Sequence, residues 1–253
     1  MVEGAVPEFG SSQARAGVSL REKFFGCLAG CYIGSAMGAP VETWPYDRIE
    51  KAHSTVDRLL PYGTNKWKRD PGTTEDGVER QKLMINAILD KQDRVTAEDV
   101  RKIWVRDFKL EGIGLISEPF EGKLLAMAKS GIPASDIGRY CDYAGLVSMA
   151  RSCHPIGLIN AGDIPGAASD IFEVGQLYQT TNSRGLQWAA VTGIAIAAAT
   201  QPGATLDSVL AAILAGDARF GPDAAVVSEI QRGLKRAAEC QGFRQLRKAF
   251  DPM

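Results

Sequence analysis

Histidine is nearly missing from this chain. Only His53 and His154 occur in 253 residues, and the five cysteines, at 27, 31, 141, 153 and 240, form no CxxC pair. Little is therefore left for a metal site built from thiolates and imidazoles. Cys27 and Cys31, four residues apart, read as small core-facing residues of one helix. An odd cysteine number suits a reducing compartment, and Met1-Val2-Glu3-Gly4 carries an acid where a secretory leader needs a basic end, so a cytoplasmic location is expected. A basic block is also absent: Lys+Arg 29 against Asp+Glu 30 leaves a net charge of -1. That balance provides no electrostatic footprint for nucleic acid or an anionic membrane surface. Two uncharged stretches, residues 24–41 and 185–206, are long enough to suggest membrane spans. Both are diluted by Gly, Ala, Gln and Pro, and the mean hydropathy is -0.09, so they are expected as buried helices of a soluble core with no membrane involved. Alternating β-branched runs with hairpin turns are missing too, which argues against a sheet.

What is present is a 45% hydrophobic, 23% charged chain with helical periodicity. Val78, Lys82, Ile85, Ile88 and Leu89 recur at helical spacing, as do Val100, Ile103, Trp104 and Phe108 after the capping box Thr96-Ala97-Glu98-Asp99. Further helices are expected near 20–36, 119–130, 134–150, 165–180, 184–200, 205–214 and 223–240. The fold class is all-α. Residues 1–18, rich in Ser, Gly and Ala, read as a flexible tail, and 19–253 as a single domain. The turn-rich stretch 56–74 is long enough to be a functional loop.

Two local patterns stand out. Gly26, Gly30, Gly34 and Gly38 form one stripe along the first helix. Each costs about 1 kcal/mol of helix propensity relative to Ala, so tight packing or a nearby ligand is expected to compensate. The second pattern is Pro71-Gly72-Thr73-Thr74-Glu75-Asp76-Gly77, where a turn becomes a helix. It has two readings. Thr73 and Asp76 are spaced as a capping pair, and acids suit a helix N-terminus. Alternatively, Thr74, Glu75 and Asp76 present hard oxygen ligands suited to Mg²⁺. Spacing alone does not separate the two.

Taken in order, Gly26 to Glu42 (GCLAGCYIGSAMGAPVE), then Gly72-Thr73-Thr74-Glu75-Asp76, then Met149 to Leu158 (MARSCHPIGL), Ala161-Gly162-Asp163 and Gln179 to Ser183 (QTTNS) resemble the ADP-ribosylglycohydrolase family. That family opens with GxxxGxxxGDAxGxPxE and later carries TDDT at a helix start. The resemblance runs from about residue 20 to about 215. It implies an orthogonal multi-helix bundle whose polar cleft holds one or two Mg²⁺ ions. Thr74, Glu75 and Asp76 then fall on the first metal-ligand cluster, and Glu42 on the acid near the ribose that positions or deprotonates the attacking water. Ser35, Ser148, Met149 and His154 fall on substrate-binding positions. The implied partner is an ADP-ribose-type small molecule or an ADP-ribosylated protein, and bound metal would stabilise charge without any histidine.

The departures from the family pattern are specific. Ser35 stands where the family has Asp, Glu75 replaces the first Asp of TDDT, and Gly77 replaces the following Thr or Ser. Arg151 stands four residues before Pro155 instead of three, so the family's arginine does not map onto it securely. Asn182 follows Thr181 where the family has His. The second metal motif, Asp-x-Asp-Thr, has no counterpart after residue 200, where Gly216-Asp217-Ala218-Arg219 offers one carboxylate. The expectation is either a domain incomplete at its C-terminus or a scaffold that has lost its metal centre. Three functions follow: a Mg²⁺-dependent hydrolase of a ribosyl glycosidic bond, a non-catalytic relative that binds a nucleotide-like ligand or protein partner in the same cleft, or an unrelated helical interaction protein.

Overall fold

A computed structural model of the chain describes residues 17–62, 70–108, 119–143, 147–215, 220 and 225–250. The greater part of the 1–18 tail, residues 63–69 of the turn-rich loop, and Gly216 to Arg219 lie outside the described residues. Among those described, all regular structure is helical, as the periodicity predicts. The helices are α1 (Leu20–Gly38), α2 (Tyr46–His53), α3 (Asp76–Lys91), α4 (Ala97–Asp107), α5 (Pro119–Lys129), α6 (Ala134–Ile137), α7 (Ser148–Ser152), α8 (His154–Ile159), α9 (Ile164–Gly175), α10 (Arg184–Ala199), α11 (Leu206–Leu214), α12 (Val226–Ala238) and α13 (Phe243–Phe250).

The core is organised around α10. Its sequence, RGLQWAAVTGIAIAAA, is small and apolar on nearly every side, so α7, α8, α9 and α11 all pack against it. Gly193 and Gly157 make that approach possible. A β-carbon on Gly193 would lie 2.1 Å from Ile171 Cδ1, and one on Gly157 2.8 Å from Ile196 Cβ. The apolar core continues through Met84, Val100, Trp104, Leu124, Ile137, Ile156, Ile171 and Leu186, with Trp104 edge-on to Tyr178 at 5.0 Å between ring centroids.

Capping explains where several helices begin. Thr96 and Asp99 form the expected reciprocal box at α4, and Thr205 with Ser208 makes another at α11. One expected helix, 134–150, is broken: α6 ends in a 3-10 turn at Gly138–Tyr140. The Gly138 amide leaves the helix to bond the Gln176 carbonyl at 2.7 Å. A β-carbon there would strike that same carbonyl at 2.4 Å, so the chain must be glycine at this crossing.

The first apolar stretch behaves differently from expectation. α1 is anchored by a Ser19–Glu22 capping box at its start and by Lys23 Nζ, which donates to the Ala199 and Gln201 carbonyls at 3.0 and 2.7 Å. Yet Ala36 is its one buried residue, and Phe25 and Ile33 are 75% and 56% exposed. No neighbour lies within 4 Å of where a β-carbon would sit on Gly26, Gly30, Gly34 or Gly38. The glycine stripe is thus an open face among the described residues, and of its two readings the tight packing surface does not form. Leu20–Val41, with mean hydropathy 1.4, is by length and composition able to cross a membrane.

Candidate functional site

The C-terminal half of α1, the N-terminus of α3 and the short α7 meet at one polar cluster. α3 begins at Asp76 because Glu75 is its N-cap: the Glu75 carboxylate folds back and accepts a hydrogen bond from the Gly77 amide at 2.9 Å. The capping residue is therefore Glu75, and the expected Thr73–Asp76 pair does not form. Thr73 instead donates its hydroxyl to the Asp70 carbonyl at 2.8 Å. Gly77 has to be glycine for this fold-back, since a β-carbon would lie 2.6 Å from Glu75 Oε1 and 3.0 Å from Arg151 Cβ.

Ser35 reaches the same point from α1. Its hydroxyl accepts from the Glu75 amide at 3.1 Å and lies 3.5 Å from Glu75 Oε1. α7 supplies Arg151, whose guanidinium spans both acids. Nη1 donates to Asp76 Oδ1 at 2.9 Å and to Glu75 Oε2 at 3.0 Å, and Nη2 donates to Asp76 Oδ2 at 3.1 Å. Arg80, one turn along α3 and almost fully buried, places Nη1 2.7 Å from Asp76 Oδ2. Asp76 thus lies in a buried position, hydrogen-bonded by Arg151 and ion-paired with Arg80. Burial first, then the neighbouring Asp76, pushes the Glu75 carboxyl up to about 7.

Gln81 holds the layer behind. Its side-chain amide lies 2.8 Å from the Arg151 carbonyl, 3.0 Å from Cys31 Sγ and 3.2 Å from His154 Nδ1, tying α3 to α7, α1 and α8. Burial pulls the His154 imidazole below its usual pKa, which favours the neutral ring next to this amide.

The structure brings Ser35, Glu75 and Asp76 together among the sequence-predicted residues. Thr74 directly precedes the two acids, half-buried. Glu42 sits exposed after the 3-10 turn Ala39–Val41 that extends α1, and no hydrogen bond or ion pair joins it to the Glu75–Asp76 pair. Ser148 and Met149 have no exposed surface, with Met149 inside the apolar core, and His154 faces Gln81. In this arrangement neither Ser148 nor Met149 presents an atom to a ligand. Sequence reasoning passed over Arg80 and Gln81 and left Arg151 unassigned. The signal for Arg80 was available: it stands at i+4 from Asp76, on the same face as the apolar residues of α3.

The donor set does not suit a Mg²⁺ ion. Such an ion needs open carboxylate oxygens at about 2.0–2.1 Å in an octahedron completed by water. Here both Asp76 oxygens and Glu75 Oε2 already take guanidinium donors, and Glu75 Oε1 lies 3.5 Å from the Ser35 hydroxyl. The two guanidiniums also supply the positive charge that two carboxylates require. Among the described residues, no group of three or more His, Cys, Asp or Glu is placed to hold a metal ion.

Among curated proteins and solved structures, none matches the chain. The all-α architecture and the junction of Gly-rich α1 with the Thr-Glu-Asp start of α3 nevertheless agree with one family model, described as ADP-ribosylglycohydrolase, which matches residues 16–251. The chain belongs to the ADP-ribosylglycohydrolase family.

Proposed function

We propose that the protein hydrolyses a ribosyl glycosidic bond in an ADP-ribosylated protein or an ADP-ribose-like small molecule, with the Ser35, Glu75, Asp76 and Arg151 cluster at the polar centre of its cleft. Family membership supports a glycohydrolase-type function for ADP-ribose-like substrates. The observation that carries the proposal is the convergence of residues from separate motifs at one place, with Ser35 bonded to Glu75 and Glu75 beside Asp76.

Cleavage at an anomeric carbon proceeds through an oxocarbenium-like transition state and requires a carboxylate to orient or deprotonate water. Glu75 Oε1 is the carboxylate oxygen of the cluster not held by a guanidinium, so it is the atom placed to accept a proton from water. Glu42, exposed just beyond the 3-10 turn that follows α1, is the second carboxylate of the proposal and the one that would meet a ribose hydroxyl.

The double neutralisation of Asp76 favours a second reading, a relative that binds a nucleotide-like ligand without turning it over. One experiment tests both. The full chain is incubated with an ADP-ribosylated protein and released ADP-ribose is followed by chromatography, in parallel with calorimetry against ADP-ribose. Release that falls at least about 100-fold in Glu75→Gln, the usual scale for losing an acid–base group, supports the hydrolase. Binding without release favours the second reading, and neither release nor binding overturns both.

A further inference from the structure

We infer that the Arg151 guanidinium stands permanently in the place of a divalent cation at the Glu75–Asp76 pair, so that this cluster is a metal-free centre built from coordinated substitutions. The departures from the family pattern, read singly, look like scattered losses. In the structure they are parts of one arrangement. Glu75 folds its carboxylate over the start of α3 and accepts from the Gly77 amide at 2.9 Å. That fold-back needs the missing side chain at Gly77, where a β-carbon would meet Glu75 Oε1 at 2.6 Å. Ser35 provides a hydroxyl against Glu75 at a position where a carboxylate would add a third negative charge to the cluster. Arg151 then bridges both acids with Nη1 and closes on Asp76 with Nη2.

Charge arithmetic agrees. Two carboxylates face two guanidiniums, Arg80 and Arg151, at 2.7–3.1 Å. Bringing in a divalent ion would set further positive charge beside both guanidiniums or force Arg151 out. Arginine is suited to the role because its planar fork is always protonated and matches carboxylates bidentately, whereas a lysine would supply only a point charge. The inference concerns the cation at this pair and stands whether the cleft hydrolyses its ligand or only binds it.

The test is metal binding, read without any substrate. The full chain is titrated with Mn²⁺ while the free-ion electron paramagnetic resonance signal is followed, and its melting temperature is compared in Mg²⁺ and in EDTA. Wild type is expected to leave the Mn²⁺ signal unchanged up to about 1 mM, the weak end of protein cation sites, and to melt at the same temperature in both buffers. Arg151→Met, which keeps much of the side-chain volume but removes the fork, is expected to gain one Mn²⁺ per chain with affinity at least about tenfold above wild type, and to lose it again when Asp76→Asn is added. Mn²⁺ binding or Mg²⁺-dependent stabilisation by wild type that disappears in Asp76→Asn would overturn the inference. So would a folded Arg151→Met chain that gains no binding. If Arg151→Met does not fold, the wild-type comparison with Asp76→Asn decides alone.

Discussion

Residues 24–41 and 185–206 are both uncharged, rich in glycine and alanine, and of similar length, yet the fold uses them in opposite ways. The second becomes α10, with helices packed around it and Gly193 set where a β-carbon would strike Ile171. The first becomes α1, with one buried residue and four glycines facing open space. The difference lies in what surrounds each stretch. α10 has α7, α8, α9 and α11 to cover its faces, while α1 is held chiefly at its ends, by Lys23 on the α10 terminus and by Ser35 at the polar cluster. The candidate site is the seam between these two regimes. Its acids and arginines belong to the packed side, and its serine belongs to the open helix.

Substitutions on the two sides of the seam should differ in size and even in sign. The largest effect is expected on the packed side from Arg80→Ala. The side chain is 2% exposed beside Asp76 at 6%, and removing one member of a buried ion pair costs about 3–5 kcal/mol. Urea denaturation measures it, and a loss below about 1 kcal/mol would mean that Arg151 alone satisfies Asp76. Next comes Gly157→Ala, which forces a methyl into the α8–α10 contact at 2.8 Å from Ile196. Overpacking of this kind should lower stability by about 1–3 kcal/mol in the same assay. The smallest and opposite effect is expected from Gly30→Ala on α1, where nothing lies within 4 Å of the new methyl. Better helix propensity should raise stability by up to about 1 kcal/mol. A loss there would show that the open stripe is covered in solution and would erase the contrast.

Much of the helical framework was legible because its signals are local. The Thr96–Asp99 box marks the start of α4, and the periodicity of Val78 to Leu89 falls inside α3. The misses have local physical causes as well. α8 follows α7 with only Cys153 between them, and α2 and α13 are eight residues each, too short for a periodic pattern to stand out. The break at Gly138 depends on a backbone carbonyl, that of Gln176, brought in by α9 and the residues after it, so no local rule could place it.

The site divides along the same line. Ser35, Glu75 and Asp76 were visible as motif positions, and the acids belong at a helix N-terminus on dipole grounds alone. Arg151 is 75 residues from Asp76, and its displaced spacing from Pro155 hid it. Only the packing of α7 on α3 reveals that its guanidinium joins both acids. The sequence by itself determined the all-α class, the family and the order of its motifs, since periodicity, caps and short patterns act over a few residues. Which apolar helix is buried, and which cation faces Glu75 and Asp76, was decided by tertiary structure, because burial and charge pairing depend on groups that the chain separates and folding brings within 3 Å.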